Sequence, residues 1–107
     1  MDNKRLEACV PNARTLKALG HASRLLMVEE LARGERHVSE LAELVGADAA
    51  TASEHLTVLT ETGLVESEER GSETVYFLAC PCILNFLACV ETVRKEKALR
   101  GRLEFAG

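Results

Sequence analysis

The fold is decided by the stretch Asp48-Ala-Ala-Thr-Ala-Ser-Glu-His-Leu-Thr-Val-Leu-Thr-Glu-Thr-Gly63, whose spacing predicts one amphipathic helix. Asp48 suits its N-cap because the carboxylate can accept hydrogen bonds from free amides of the first turn. Gly63 suits the left-handed residue after the last turn, since it has no Cβ to clash. Between them, Ala52, Leu56 and Leu59 recur at i, i+4 and i+7 on one face. The polar remainder favours a helix that enters the DNA major groove, and the alternative is an amphipathic helix of any globular domain.

Size and composition indicate one small helical domain. The chain has 107 residues, 47% of them hydrophobic, with only three Phe and one Tyr, so aliphatic helices are expected to dominate. A domain of this size buries a modest core, and pairing with a second copy is a natural source of further burial. There is no charged-then-apolar leader and no apolar run long enough to cross a bilayer. Secretion and membrane insertion are therefore not expected.

The charge distribution is unfavourable for DNA binding. The net charge is −4, and between residues 35 and 73 ten acidic side chains are opposed only by Arg36 and Arg70. Lys and Arg supply most non-specific DNA affinity through phosphate contacts. This segment is therefore expected to bind DNA weakly by that route.

Glycine and proline divide the first half of the chain into helices. Pro11 is expected to interrupt the first helical segment, which ends at Gly20, and a second helix covers 22–34. A short helix is predicted from an N-cap at Ser39 to Gly46. Together with the helix after Asp48, it forms a helix-turn-helix.

The hydrophobic period changes after Gly63. Residues 65–69 and 74–79 are predicted to be strands, joined by a glycine-containing hairpin turn to form a wing. The last helix is predicted from Pro81 to about Lys97. Its apolar surface is wide enough to contact both its own domain and a partner subunit.

This order of elements resembles the ArsR/SmtB family of small dimeric winged-helix repressors. The resemblance implies a mainly α (α+β) winged helix-turn-helix with a two-stranded wing, which dimerises through its first and last helices. It implies a single domain over 1–107, with a winged-helix core at 13–79 and dimerisation helices at 1–12 and 80–100. The motifs that carry it are Leu16-Lys-Ala-Leu-Gly-His-Ala-Ser-Arg-Leu25, Val38-Ser-Glu-Leu-Ala42, Thr51-Ala-Ser-Glu-His-Leu-Thr-Val-Leu59, Gly63-Leu-Val65 and Gly71-Ser-Glu-Thr-Val-Tyr76.

The resemblance also implies that a homodimer occupies double-stranded operator DNA until an inducer lowers its affinity. Two departures are visible: Glu54 stands where the family often has Arg, and the wing is acidic. Low or salt-sensitive affinity, or an unusual operator, is therefore expected. The candidate DNA contacts, on the recognition helix and the wing, are Ala50, Thr51, Ser53, Glu54, His55, Thr57, Arg70, Ser72 and Thr74.

The cysteines suggest what the inducer is. In a chain without a leader, Cys9, Cys80, Cys82 and Cys89 favour the reducing cytoplasm, where thiols are ligands, sensors or core residues more often than disulfides. Cys80 as N-cap, with Pro81 at the first helical position, would favour thiolates at the helix start. The zinc-sensing branch of the family has an acid and a histidine at the positions of Cys80 and Cys82. The resemblance therefore implies that a site of softer, thiolate ligands replaces the harder zinc site here.

The other two cysteines are candidates for a third ligand. Cys89 follows Cys82 by seven residues, or roughly 10 Å along a helix, so the two cannot share an ion within one helix. The third ligand is expected to cross the dimer, from the partner's Cys89 or from Cys9. The resemblance places the family's commonest thiolate site, just before the recognition helix, at His37-Val38-Ser39. This segment contains no cysteine, so a site of three thiolates is not possible there. His37 is interpreted as a surface residue.

The leading interpretation is a repressor that is released when arsenite, cadmium or zinc binds thiolates of Cys80, Cys82, Cys89 and Cys9. One alternative is a repressor that senses oxidants or reactive sulfur through the same thiols. Another is a winged helix that binds protein, given the acidic middle segment. An enzyme is not expected, because no catalytic motif occurs and His21 and His55 have no evident partner in the sequence.

Overall fold

The computed structural model describes residues 3–106, with side chains described for 3–102. Helix α1 spans Asn3–Leu19 and α2 spans Ala22–Leu31, followed by strand β1 at Arg36–His37. Helices α3 (Val38–Val45) and α4 (Ala49–Glu61) come next, then strands β2 (Val65–Arg70) and β3 (Glu73–Leu78). Helix α5, Ile83–Ala106, completes the chain. Within the described residues, no helix is both long and apolar enough to span a membrane.

The amphipathic helix expected between Asp48 and Gly63 forms, as α4. The Oδ1 atom of Asp48 accepts a hydrogen bond from the amide of Thr51 at 2.7 Å, and Gly63 adopts the left-handed region at φ 81°. The apolar face of α4 lies inward, with Ala52, Leu56 and Leu59 fully buried. It packs in one core with Met27 and Val28 of α2, Leu41 of α3 and Val65 of β2. Burial on this scale fixes α4 against the domain along its whole length.

The wing is a β2–β3 hairpin, and a third strand extends it. The sheet is antiparallel in the order β1-β3-β2, and β1 pairs Arg36 with Tyr76 and His37 with Val75. A strand of two residues is too short to show alternation in a sequence. The sequence therefore predicts a wing of two strands, and the edge strand β1 is visible only in the structure.

Three details of the helices differ from the prediction. Helix α1 runs through Pro11. Proline has no N–H group, so the carbonyl of Glu7 lacks its usual helical hydrogen bond. Glu7 is exposed, so water can donate to that carbonyl instead. The N-cap of α3 is His37 and not Ser39, because β1 keeps His37 extended (ψ 159°), and Glu40 Oε1 accepts from its amide at 3.0 Å. Helix α5 continues past Lys97, since only Gly101 interrupts a run of good helix formers.

The start of α5 also differs. The amide of Ala79 donates to the carbonyl of Leu64 at 2.9 Å, which keeps the chain in the sheet until Cys80. A tight turn follows, in which the amide of Ile83 donates to the carbonyl of Cys80 at 3.2 Å. The helix therefore begins at Ile83, and Cys80 is not its N-cap.

Candidate nucleic-acid interface

The outer face of α4 is exposed and mostly polar. Five of the candidate contacts on α4 have exposed side chains, and they are Ala50, Thr51, Ser53, Glu54 and Thr57. Because the opposite face is fully buried, the helix can turn no other side outward. Short side chains on a fixed helix let its backbone come close to a groove floor.

His55 is the exception among the candidate contacts on α4, because it is half-buried and contacts Arg24 of α2. Its Nδ1 accepts a hydrogen bond from Arg24 Nε at 3.2 Å. The His21 ring lies against it, with ring centroids 4.6 Å apart and an interplanar angle of 54°. The prediction that His21 and His55 lack partners is therefore wrong. No spacing rule reveals this contact, since Arg24 and His55 belong to different helices, 31 residues apart.

Burial and charge act on His55 in the same direction. Desolvation is the largest effect, and the nearby His21 and Arg24 add to it, so the pKa of His55 lies below its ordinary value of 6.5. The carboxylate of Glu54 acts in the opposite direction and is the smallest of the four effects. The imidazole is accordingly neutral at physiological pH.

The wing arginine is held by carboxylates. Arg70 donates to both oxygens of Glu35, at 2.7 and 3.0 Å, and to Glu68 Oε2 at 2.9 Å. The hydrogen bond from Arg70 is the main reason that the pKa of Glu35 lies below its usual range. Of the other wing candidates, Thr74 donates to Glu69 Oε1 at 2.7 Å, and Ser72 is exposed in the hairpin turn. The wing therefore presents carboxylates where a phosphate contact needs a free cation.

The second arginine of this acidic segment is also paired. Arg36 donates to Glu30 Oε1 through Nε at 3.2 Å and through Nη2 at 3.0 Å. Arg36 and Arg70, the two cations among the ten acids of this segment, are therefore both in ion pairs. Either could bind a ligand only if its ion pair broke.

All four thiols are free and exposed. Cys80 and Cys82 flank Pro81 in the turn between β3 and α5, and Cys80 Sγ lies 3.8 Å from the carbonyl oxygen of Gly63. Cys9 lies on α1 and Cys89 on α5. Among the described residues of one chain, no three His, Cys, Asp or Glu side chains converge to hold a metal ion. Two thiolates suit a soft ion, and the metal site predicted at Cys80 and Cys82 stays a prediction.

The exposed apolar surface is concentrated on the first and last helices. Phe86, Val90 and Val93 recur at i, i+4 and i+7 on α5 and are 44%, 42% and 62% exposed. On α1, Leu6 and Leu16 are 69% and 49% exposed. Ile83 and Leu87, near the start of α5, pack on the core, whereas the side chains of Phe86, Val90 and Val93 stay largely exposed in the described part of the chain.

A short capped helix, a core-backed second helix and a β-hairpin define a winged helix-turn-helix protein. Residues 21–67 match the family model described as "Bacterial regulatory protein, arsR family". The chain belongs to this family, which confirms the resemblance inferred from its motifs.

Relatives and structural neighbours agree with this assignment. The chain is 37% identical over 84 residues to the HTH-type transcriptional regulator Rv0324 of Mycobacterium tuberculosis, over 78% of this chain but 37% of that protein. It is 27% identical over 86 residues to a probable mercury resistance operon repressor of Streptomyces lividans, over 80% of this chain and 69% of that one. The names of both relatives describe regulators of transcription, and this chain spans only 37% of the length of the first.

A solved structure supports the fold over most of the chain. It is the homodimeric winged helix-turn-helix DNA-binding domain of Mb0332 from Mycobacterium bovis, a possible ArsR-family regulator. The TM-score is 0.76 at 32% identity, and the match covers 92% of this chain and 91% of that domain. The predicted winged helix-turn-helix is therefore confirmed.

Proposed function

We propose that this chain is a DNA-binding transcriptional repressor that acts as a homodimer in the cytoplasm. One observation carries the proposal: α4 has a fully buried apolar face and an outer face of exposed, mostly polar side chains between Ala50 and Thr57. Two such helices in a symmetric pair would read two half-sites about one helical turn of DNA apart. The wings would approach the flanking backbone.

The proposed dimer interface is formed by α1 and α5. Beyond Leu87, the side chains of α5 up to Arg100 are all exposed, yet the helix continues to Ala106. In proteins, most helical stability comes from packing of an apolar face, so an exposed apolar stripe of this kind is best covered by a second copy. The homodimeric Mb0332 domain supports a dimer, since it matches nearly the whole chain.

The proposed inducer is a soft metal or metalloid ion, such as arsenite, cadmium or zinc, bound by Cys80 and Cys82. Both thiols lie at the junction between the wing and the helix proposed to form the dimer interface, so a ligand there can alter how α5 leaves the domain. The third thiolate would come from Cys89 or Cys9 across the dimer. The mercury resistance operon repressor supports a thiophilic ligand, and the softness of two thiolates agrees with it.

Release from DNA requires that the ion bind the released dimer more tightly than the DNA-bound dimer. Tight binding alone shifts no equilibrium. Because α5 connects the thiols to the partner, a changed crossing of the two α5 helices would change the separation of the α4 helices. DNA with fixed half-site spacing would then be bound less well.

A titration tests the proposal. The reduced full chain is first used to select a duplex from a random library at low salt; DNA occupancy and free thiols are then followed together as arsenite, cadmium, zinc or polysulfide is added. We expect a two-fold symmetric site and loss of occupancy in step with loss of two or more thiols per chain. Failure to select any duplex at low salt would favour the protein-binding alternative. Release by polysulfide alone would favour a sensor of reactive sulfur.

The ion pairs of the wing give a separate prediction. In the double variant Glu35→Gln with Glu68→Gln, Arg70 loses both carboxylate partners and becomes free to meet a phosphate. Binding to the selected duplex should strengthen, and the slope of log affinity against log salt should steepen by about 0.9 for each new phosphate contact. Fluorescence anisotropy over a series of salt concentrations measures both quantities.

The control for this prediction adds Arg70→Gln to the double variant. The slope should then return to that of the original chain, because no cation has been released. An equal gain in affinity with and without Arg70 would mean that only the removal of negative charge matters.

A further inference from the structure

A cluster of three side chains joins α2 to the recognition helix. Arg24 Nε lies 3.2 Å from His55 Nδ1, and the His21 ring lies beside His55, with centroids 4.6 Å apart. The backbone amide of Ser23 donates to His21 Nδ1 at 3.2 Å. Arg24 is held in turn by the carbonyl of Ala18, which accepts from its Nη1 at 3.4 Å. Neither repression nor induction, as proposed above, accounts for these contacts.

The hydrogen-bond donors in this cluster determine where the imidazole protons lie. A guanidinium has N–H donors, no acceptor, and stays protonated at any physiological pH. A backbone amide likewise only donates. Both Nδ1 atoms must therefore act as acceptors, and the neutral imidazole of His55 carries its proton on Nε2.

The Nε2–H group of His55 is accessible from outside. Across residues 3–102, no side-chain nitrogen or oxygen is both buried and without a hydrogen-bond partner. His55 forms its one hydrogen bond through Nδ1, so its Nε2 reaches solvent. Thr51 is exposed and lies one turn earlier on the same side of α4, since residues i and i+4 are neighbours on a helix. The Nε2–H group thus opens at the edge of the candidate DNA-binding face.

We propose that Arg24 is a positioning residue for DNA recognition, which holds His55 in the tautomer whose Nε2–H donates to an acceptor on DNA. The acceptor is a guanine N7 atom in the major groove, or a phosphate oxygen. The opposite tautomer would present a lone pair at Nε2, which neither of these acceptors can use. This inference rests on the proposed function, because it needs α4 to lie against DNA.

The charges around His55 keep it in the neutral form that this role requires. His21 and Arg24 face it from α2 and disfavour its protonation, and Glu54 on α4 opposes them more weakly. The pKa of His55 is lower in the folded chain, so the unfolded chain binds a proton first as the pH falls below 6.5. The contribution to stability is therefore complete above pH 6.5 and is lost as the pH falls towards the folded-state pKa. Protonation also converts Nδ1 into a donor, which removes the contact with Arg24.

Nitrogen NMR of the full, ¹⁵N-labelled chain tests the tautomer without DNA. His55 Nδ1 should have the shift of an unprotonated nitrogen. Arg24→Met, which removes the donor but keeps the length, should move that shift towards the mixture seen in a free histidine. Arg24→Lys, which keeps the charge and a donor, should restore part of the original signature. A protonated Nδ1 in the original chain would overturn the inference, and this measurement remains available if Arg24→Met does not fold.

DNA binding to the duplex selected above provides the second readout. We expect Arg24→Met to weaken binding by about fivefold at each half-site, as for one lost hydrogen bond, with partial recovery in Arg24→Lys. If Arg24→Met changes the affinity but not the tautomer signature, Arg24 acts only through packing and the inference fails. If the original chain selects no duplex, the proposed function fails while the tautomer result stands by itself.

Modified duplexes identify the acceptor. One set carries 7-deazaguanine in place of guanine, which removes N7, and another carries single methylphosphonates, which remove a charged phosphate oxygen. His55→Phe should weaken binding to the unmodified duplex, and should cost nothing further on the one duplex that lacks its acceptor. An equal effect of His55→Phe on every duplex would overturn the proposed hydrogen bond to DNA.

Discussion

Placing charge on the outer stripe of α5, with Val90→Glu and Val93→Glu together, is expected to convert the dimer to monomers and to abolish tight DNA binding. The two valines are 42% and 62% exposed in a single chain, so the domain itself should tolerate the change. In a dimer, the four introduced carboxylates would lie in an apolar interface, where unpaired charges are strongly disfavoured. Sedimentation velocity should show a species of half the mass.

DNA affinity should fall much further than the loss of any single contact would explain. Two linked recognition helices gain about 10²- to 10⁴-fold in affinity over one, because the second helix binds at a high effective concentration. The monomer should lose that factor while each α4 remains intact. Fluorescence anisotropy with duplexes that carry one or two half-sites separates these effects: both duplexes should bind the variant equally well.

Thr92→Glu is the matched control for this prediction. Thr92 is an exposed residue of the same helix, two positions from Val90 and therefore near the opposite side. The Thr92→Glu variant should keep the mass of the dimer and its affinity for DNA. A Val90→Glu, Val93→Glu variant that remains dimeric would show that α5 is not the interface. Loss of the dimer in Thr92→Glu alone would point to a different face of α5.

The sequence predicted the parts of this fold that depend on neighbouring residues. Asp48, the spacing of the apolar residues and Gly63 are signals within 16 consecutive positions, and α4 forms between them with the expected cap. The β2–β3 hairpin follows from alternation and a glycine turn in the same way. Local hydrogen bonds and the periodicity of burial act over such short distances, so one stretch of sequence contains enough information.

The contacts that decide the candidate site act over longer distances. Arg24 bonds His55 across 31 residues and Arg70 bonds Glu35 across 35 residues. An acidic chain offers Arg70 many carboxylates, and only the register of β3 beside β1 and β2 brings Glu35 within reach. The sequence could therefore name Arg70 and His55 as candidates. It could not indicate that the first is neutralised by ion pairs and the second is held in one tautomer.

The double variant Cys80→Ser with Cys82→Ser is expected to bind DNA normally and to lose its response to the inducer. Both thiols are exposed, and Cys80 has only a weak contact with the carbonyl of Gly63, at 3.8 Å. A serine fits the same turn and can donate to the same carbonyl. Affinity for the selected duplex without inducer should therefore stay within about twofold of the original, as expected for surface changes of less than 0.5 kcal/mol.

The response should disappear because serine hydroxyls do not replace thiolates as ligands for a soft ion. Moving a dimer from almost fully bound to almost fully released requires about a 10⁴-fold preference of the ion for the released form. Without the two sulfur atoms the ion has no thiolate ligands in the turn, so it cannot prefer the released form of the dimer. The measurement is DNA occupancy during titration with arsenite, cadmium or zinc, and full release of the double variant would refute the proposed thiol mechanism.

Single variants at the other cysteines assign the remaining ligand. If the third thiolate crosses the dimer, either Cys89→Ser or Cys9→Ser should weaken the response, and the other should leave it intact. Both residues are exposed on helices proposed to form the interface, so both are candidates for the ligand from the second copy. A response that survives in both single variants but not in Cys80→Ser with Cys82→Ser would mean that the two thiols of one turn suffice. Release by cadmium or zinc that EDTA reverses without a reductant is then the signature of a bound ion, whereas reversal by a phosphine reductant alone indicates that the same two sulfur atoms have been oxidised.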